Sequence, residues 1–371
     1  MKLNNPFLVR GYFGPEYFCD RDCETREIIT SLTNEGDVTL IAPRRYGKTG
    51  LIHNVFNQIG EDWVTVYLDI YATRNLADFT KAFASAVVGA FDTKVEKTIT
   101  NVARFFKSCR PTVVPQESGL PKFSFDVVQS NAETTLKEAF DYLKSHERRI
   151  VIAIDEFQQV LEYPEKGAEA LLRGYLQYIP WVRFIFAGSR QHLMREMFLS
   201  AKHPFYQSTD ILSLQPIDRE IYMKFAQGFF ASKRKLFDPD AFYHVYDRFD
   251  GVTWYVQMVM RKLWADGEGL PDVATAERAV EYIVDTRKFE FYDLYRAQTD
   301  SAQRLLKAIA DDGPVAEPLS GDFITRHSLR ATSTVASSLK DLMQRDMVYK
   351  ADSGYIIYDR FFGIWLKGLQ S

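Results

Sequence analysis

The sequence predicts an α/β protein, a parallel sheet with helices on both faces, followed by a helical lid and a C-terminal winged helix. Three observations carry that expectation. The apolar run Val38-Thr39-Leu40-Ile41 leads into Gly47-Lys48-Thr49 and a helical apolar period, and the apolar run Ile150 to Ile154 ends in Asp155-Glu156. Beyond Ile217 strand-like runs vanish until a short hairpin near Met347. Continuous apolar runs mark strands buried on both faces, as parallel sheets require, and strand–helix alternation builds such a sheet.

Taken in order, Val38 to Ile41 is the first strand, and Leu51, Ile52, Val55, Phe56 and Ile59 mark the buried face of the helix after it. Trp63 to Ile70 reads as a second strand, with a helix from about Leu76 to Phe91. Residues 93–130 interrupt the alternation. Two arms there, Pro111 to Val114 and Lys122 to Val127, read as a β-hairpin in which Phe123, Phe125 and Val127 alternate. A helix from Asn131 to Ser145 leads to the Asp155 strand, then a helix from Lys166 to Tyr178 and a fourth strand from Val182 that ends in the polar residues Ser189 and Arg190. Asp210 to Leu214 is the fifth strand, closed by Pro216. Helices follow at about Arg219–Ser232, Pro239–Phe249, Val252–Trp264 and Ala274–Leu294, with the loop Asp266 to Pro271 between the last two. The end of the chain offers helices at Ser301–Ala310, Gly321–Leu329 and Thr332–Gln344, then the hairpin Met347 to Tyr358: three helices and a wing. The expected domains are therefore 1–216, with the insertion at 93–130, then 217–298 and 299–371.

Two of these segments carry chemistry. A turn between strand and helix that ends in Gly-Lys-Thr cradles phosphates, because backbone N–H groups from Arg45 through Tyr46, Gly47 and Lys48 to Thr49 point inward and the helix dipole faces the anion. Lys48 would reach the β- and γ-phosphates, and Thr49 would ligate Mg²⁺. The first glycine of the usual pattern is replaced by Ala42, the mildest exchange where φ is negative. Carboxylates at the carboxyl end of a parallel strand sit where α/β sheets bind ligands. Asp155 would hold the metal, and Glu156 would act as general base on the attacking water; an N-cap role for Asp155 is the structural alternative. Ser189 or Arg190, at the end of the fourth strand, could sense the γ-phosphate, and a plain strand-ending turn is the alternative there.

Composition narrows the classes. The 371 residues are 46% hydrophobic and 26% charged with a net charge of −3, an ordinary globular balance that gives no global electrostatic case for nucleic acid or a membrane surface. Three scattered cysteines form no C-x-x-C pair, which points to a reducing cytoplasm. Neither a secretion signal nor a membrane-spanning run is visible.

Together these residues resemble the archaeal-type AAA-like P-loop ATPases, relatives of the STAND and origin-recognition ATPases. Tyr17 to Glu24, with Phe18 and Arg21, resembles that family's box beside the nucleotide base, with Asp20 where glycine is usual. Ala42 to Thr49 resembles its P-loop, which implies nucleotide contacts from Arg44 through Gly50; Ile154 to Gln158 resembles its metal-binding strand, and Ala187 to Ser189 its sensor strand. Gly251 to Tyr255 resembles its lid motif with Thr253 in place of proline. Tyr355 to Leu366 looks like the end of its winged helix. Where the family often has an arginine before the fifth strand, this chain reads Tyr206-Gln207-Ser208.

The resemblance implies a cytoplasmic protein that binds ATP and Mg²⁺, hydrolyses ATP slowly and switches conformation, with ATP preferred to GTP and a protein partner to act on. An ATP-regulated nucleic-acid-binding protein is the alternative. From Ser301 to Ser371 nine Lys and Arg face eight Asp and Glu, and a nucleic-acid-reading winged helix usually clusters its basic residues. Arg326 and Arg330 on the recognition helix would be the contacts in that case.

Overall fold

The computed structural model describes residues 3–91, 102–114, 122–177, 179–266, 270–351 and 353–369. It falls into two compact units, one from Leu8 to Asp218 and the other from Arg219 to Ser371 with the N-terminal stretch up to Phe7.

The first unit is built on a five-stranded, wholly parallel sheet: β1 (Val38–Ile41), β2 (Trp63–Asp69), β5 (Arg149–Asp155), β6 (Val182–Gly188) and β7 (Asp210–Ser213), in the order β2-β5-β6-β1-β7. Alternation along the strands sends side chains to two separate cores. Ile150, Ile152 and Ile154 of β5 join Val66, Leu68, Phe184 and Phe186 on the face covered by α3 (Leu76–Phe91), α4 (Ala132–Lys144) and α5 (Ala168–Leu176). Val151 and Ala153 join Leu40, Ile185 and Ala187 on the other face, under α1 (Asp22–Thr33) and α2 (Lys48–Gln58). Both cores are apolar, so each strand reads as a continuous run. The face of α2 also sets where Asp155 points: it follows Ala153 by two residues and shares its side.

The expected hairpin is present as β3 (Arg110–Val114) and β4 (Lys122–Asp126), paired antiparallel with Thr112 opposite Ser124. Phe123 and Phe125 are buried there, and Val127 packs against the same core. Its turn at 115–121 and the stretch 92–101 lie outside the described residues, as do positions 267–269 of the Asp266 to Pro271 loop.

Helix α1 was not among the sequence expectations. It begins at Arg21, which adopts a left-handed conformation (φ 72°), and is amphipathic enough to bury Ile28 and Leu32. Helix α6 (Gln191–Leu199) follows β6 directly.

The second unit contains α7 (Arg219–Ser232), α8 (Pro239–Arg248), α9 (Thr253–Asp266), α10 (Val273–Thr286), α11 (Lys288–Arg296), α12 (Asp300–Asp312), α13 (Gly321–Arg326), α14 (Thr332–Gln344), the hairpin β8 (Val348–Ala351) and β9 (Gly354–Ile357), and α15 (Arg360–Lys367). The single helix expected over Ala274–Leu294 is two, broken at Arg287 (φ −106°, ψ 5°), whose guanidinium reaches Asp359 at 3.3 Å and Glu290 at 3.0 Å. The first residues belong here and not to the sheet unit. Phe7 lies 5.7 Å from Phe229 and 6.1 Å from Trp264, and Trp264 donates its indole N–H to the Asn4 carbonyl at 2.8 Å. Arg326 and Arg330 are not on the recognition helix. Arg326 ends α13 and pairs with Asp312 at 3.2 Å, Arg330 sits in the turn before α14, and α14 itself carries only Lys340 and Asp341 as charges.

Candidate nucleotide site

Chain order and spatial order diverge around β1: its own continuation runs through α2 to the far edge strand β2, while β6 and β7 come back to lie beside it. Such a switch point opens a crevice at the carboxyl ends of the strands. The ends of β1, β5 and β6 carry Ala42, Asp155-Glu156 and Ser189, so the separate sequence motifs meet there.

The turn after β1 has the form of an anion cradle. Arg45 (φ 72°) and Gly47 (φ 91°) both take left-handed backbone, two residues apart, which turns successive N–H groups inward. Gly47 is also the residue from which α2 starts, and no side chain caps that helix, so its first-turn N–H groups remain open to an anion. A side-chain carbon at Gly47 would meet nothing within 4 Å. The position is open space over left-handed backbone.

Lys48 is 6% exposed and donates to the Ala42 carbonyl at 3.2 Å. Burial pushes its ammonium below the usual lysine range, and the charges of Glu156 and Asp155 pull it back up. Thr49 donates to Asp155 Oδ2 at 2.8 Å, while Asp155 Oδ1 accepts the Glu156 N–H at 3.0 Å. Glu156 itself is left-handed (φ 57°), a costly geometry for glutamate that turns its carboxylate from the strand line toward β6. There Glu156 Oε2 accepts from Ser189 at 2.6 Å and from Gln158 at 2.6 Å. Arg44 donates to Ser189 at 3.3 Å and stacks over Tyr71 at 4.9 Å. Burial raises the Glu156 carboxyl, but Lys48, Ser189, Gln158 and Arg44 outweigh it and hold it below the usual range.

Other sequence-named residues stand apart from this cluster. Arg190 pairs with Glu162 at 2.8 Å. Arg21 is 4% exposed, held by Glu24 at 2.6 Å and by the Gln215 carbonyl at 2.7 Å, so it clamps α1 to the segment after β7. Phe18 does lie against the start of α2: a side-chain carbon at Gly50 would come within 3.1 Å of its ring. Tyr46 packs on the core under α2. Ser208 donates to the Phe205 carbonyl at 2.7 Å.

Three site residues escaped sequence reasoning. Gln158, buried behind Glu156, lay at the end of the recognised Ile154 to Gln158 segment but was given no role there. Tyr67 donates to Asp155 Oδ2 at 3.0 Å, and alternation on β2 would have placed it on the α2 side. Tyr12 bonds Asn54 at 2.9 Å and packs edge-on to Phe18.

Oxygen donors of this kind suit Mg²⁺, which takes one or two carboxylates and completes its shell from phosphate and water. Among the described residues no group of three His, Cys, Asp or Glu could hold a metal unaided. The Thr49–Asp155 pair is the donor set that fits.

Residues 18–259 match the model of an ATPase domain predominantly from Archaea, and residues 289–368 that of a probable winged helix domain. No curated protein matches the chain in sequence. Among solved structures, the Walker-type ATPase PABY2304 of Pyrococcus abyssi is 19% identical, with 98% of this chain and 99% of that one covered, at a TM-score of 0.65. The ORC2 protein of Aeropyrum pernix, in ADPNP–ADP complexes, is 15% identical over 98% and 97%, at 0.59. The same organism's ORC1 protein, in complex with DNA, is 12% identical over 98% and 96%, at 0.57. At such identities the likeness is one of fold.

Proposed function

The chain belongs to the family of ATPase domains found predominantly in archaea, and from that premise we propose that it binds Mg²⁺-ATP, hydrolyses it slowly and uses the cycle as a conformational switch. The observation that carries this is the convergence of Lys48, Thr49, Asp155, Glu156, Ser189 and Arg44 from three strand ends through bonds of 2.6 to 3.3 Å.

In this reading the N–H groups of Arg45 to Thr49 and the Lys48 ammonium bind the phosphates, and Phe18 borders the base. Mg²⁺, when bound, neutralises phosphate charge and would be held by Thr49 and Asp155. Glu156 accepts a proton from the water whose oxygen attacks the γ-phosphorus; the bond to the β–γ bridging oxygen breaks, leaving ADP and phosphate. Ser189 donates to Glu156. A γ-phosphate oxygen competes for that hydroxyl, so Ser189 releases Glu156 when the triphosphate arrives. Residues 217–298 serve as the lid and 299–371 as the winged helix that reads the bound state.

The segment Tyr206-Gln207-Ser208 offers no arginine, and a trans-acting finger contributes roughly 10³–10⁵ in rate where it operates. Basal turnover is therefore slow, on the order of well below one per second, until a protein partner supplies charge.

A second reading, ATP-regulated nucleic-acid binding, draws on the winged-helix match and on the ORC1 protein seen with DNA. The single lysine of α14 argues against it.

Thermal shift with Mg²⁺-ATP, followed by phosphate release with and without DNA, tests both. A shift, slow release and indifference to DNA are expected. No shift defeats the nucleotide site, and DNA-stimulated release favours the second reading. For the switch, limited proteolysis of the second unit should differ between the ATP- and ADP-bound states, and identical patterns would remove that role.

A further inference from the structure

One oxygen atom of Asp155 receives two hydroxyl groups. Thr49 donates to Oδ2 at 2.8 Å and Tyr67 donates to the same atom at 3.0 Å, while Oδ1 takes the Glu156 N–H at 3.0 Å. Asp155 is 4% exposed, so the three donors account for most of what its carboxylate can touch without a ligand.

The topology makes the Tyr67 contact. In the parallel β2–β5 pair Tyr67 stands beside Ala153 and Asp69 beside Asp155. Tyr67 thus shares the α2-side face with Ala153 and Asp155, one pleat behind the carboxylate, a distance that only a long side chain spans. Its ring is braced from α2: His53, one helical turn beyond Thr49, lies 5.0 Å from it, centroid to centroid. His53 in turn stacks on Tyr12 at 6.3 Å. Helix α2 therefore delivers Thr49 to one side of Asp155 Oδ2 and wedges Tyr67 toward it from another.

We propose that Tyr67 is a positioning residue for the magnesium site: its phenol pins the Asp155 carboxylate in the orientation that faces Thr49, so that hydroxyl and carboxylate stand ready as a ligand pair. This role rests on the Mg²⁺-ATP reading above. A carboxylate attached by rotatable bonds must otherwise be ordered when the cation arrives, and that ordering is subtracted from affinity. Groups that hydrogen-bond a metal ligand from behind typically cost 10–100-fold in metal affinity when removed. The phosphates are held by Lys48 and the P-loop backbone, so Tyr67 acts on the cation and not on nucleotide as such.

Tyr67→Phe removes one oxygen and keeps the ring against His53. The measurement is the rise in melting temperature with a non-hydrolysable ATP analogue, taken without divalent ion and across an Mg²⁺ titration. Expected is a 10–100-fold higher Mg²⁺ concentration at half-maximal shift, with the Mg²⁺-free shift unchanged. In an Asp155→Asn background, adding Tyr67→Phe should bring no further loss, because one residue acts through the other. An unchanged Mg²⁺ midpoint, an equal loss with and without Mg²⁺, or additive losses in the double variant would each overturn the role of Tyr67 alone. A wild type whose shift ignores Mg²⁺ altogether would overturn the metal reading and this role with it.

Discussion

Replacing Lys48 by alanine should abolish nucleotide binding. The ammonium is the one lysine charge buried at the head of α2, 3.2 Å from the Ala42 carbonyl and acting on both Glu156 and Asp155. Remove it and the cluster keeps two carboxylates against the single guanidinium of Arg44, so its sign turns against a triphosphate. For the wild type, ligand at about 100 times its dissociation constant stabilises the folded state by ~2.7 kcal/mol. In a unit of this size each kcal/mol moves the melting temperature by about 2–4 °C, so the shift should be roughly 5–11 °C. Differential scanning fluorimetry with and without Mg²⁺-ATP reads it directly. The Lys48→Ala protein should fold, shown by a cooperative melt, and show no rise. An equal rise in both proteins would refute the placement of phosphate at Lys48, whatever the fold.

Three further outcomes follow from the same geometry. Glu156→Gln keeps the bonds to Ser189 and Gln158 in shape but cannot accept a proton; phosphate release should fall by about 10²–10⁴-fold with the thermal shift retained, and unchanged release would move the base elsewhere, Asp69 being the next carboxylate to test. Arg44 touches Ser189 whereas Arg190 pairs with Glu162, so Arg44→Ala should slow basal turnover on the order of 10²-fold and Arg190→Ala should leave it nearly unchanged; the reverse result would return the cis cation to Arg190. Asp37, whose carboxylate accepts the Phe184 N–H at 2.8 Å, is pushed up to about 6 by burial, against the pull of that bond and of Arg183 and Arg173. A folded-state carboxyl above its unfolded value favours the folded state when protonated, so its contribution is lost as pH rises from about 4 through 6. Asp37→Asn, which still accepts the bond, should flatten that part of the stability–pH curve and melt higher at pH 7. A steeper curve would show that the charge at Asp37 stabilises.

The P-loop and the Asp155-Glu156 strand were legible because each is local. A buried parallel strand must be apolar along its length, and a phosphate turn needs Gly-Lys-Thr at contiguous positions, so both survive as patterns in sequence. Helices α7 to α14 of the second unit were legible through apolar period, apart from the break at Arg287, which a distant partner, Asp359, holds in place; α15 was not among the expectations. Neither the switch-point order of the sheet nor the pairing across it is written locally. Which strands lie side by side decides that Ser189 meets Glu156 across β5 and β6, that Arg44 stands on Ser189 while Arg190 turns to Glu162, and that Tyr67 reaches Asp155 across β2 and β5. Those contacts join residues between 28 and 145 positions apart. Sequence alone thus determined which groups could handle a nucleoside triphosphate. Only the packing of parallel strands, with side chains alternating between two cores, decided which of them share one face and act on one another.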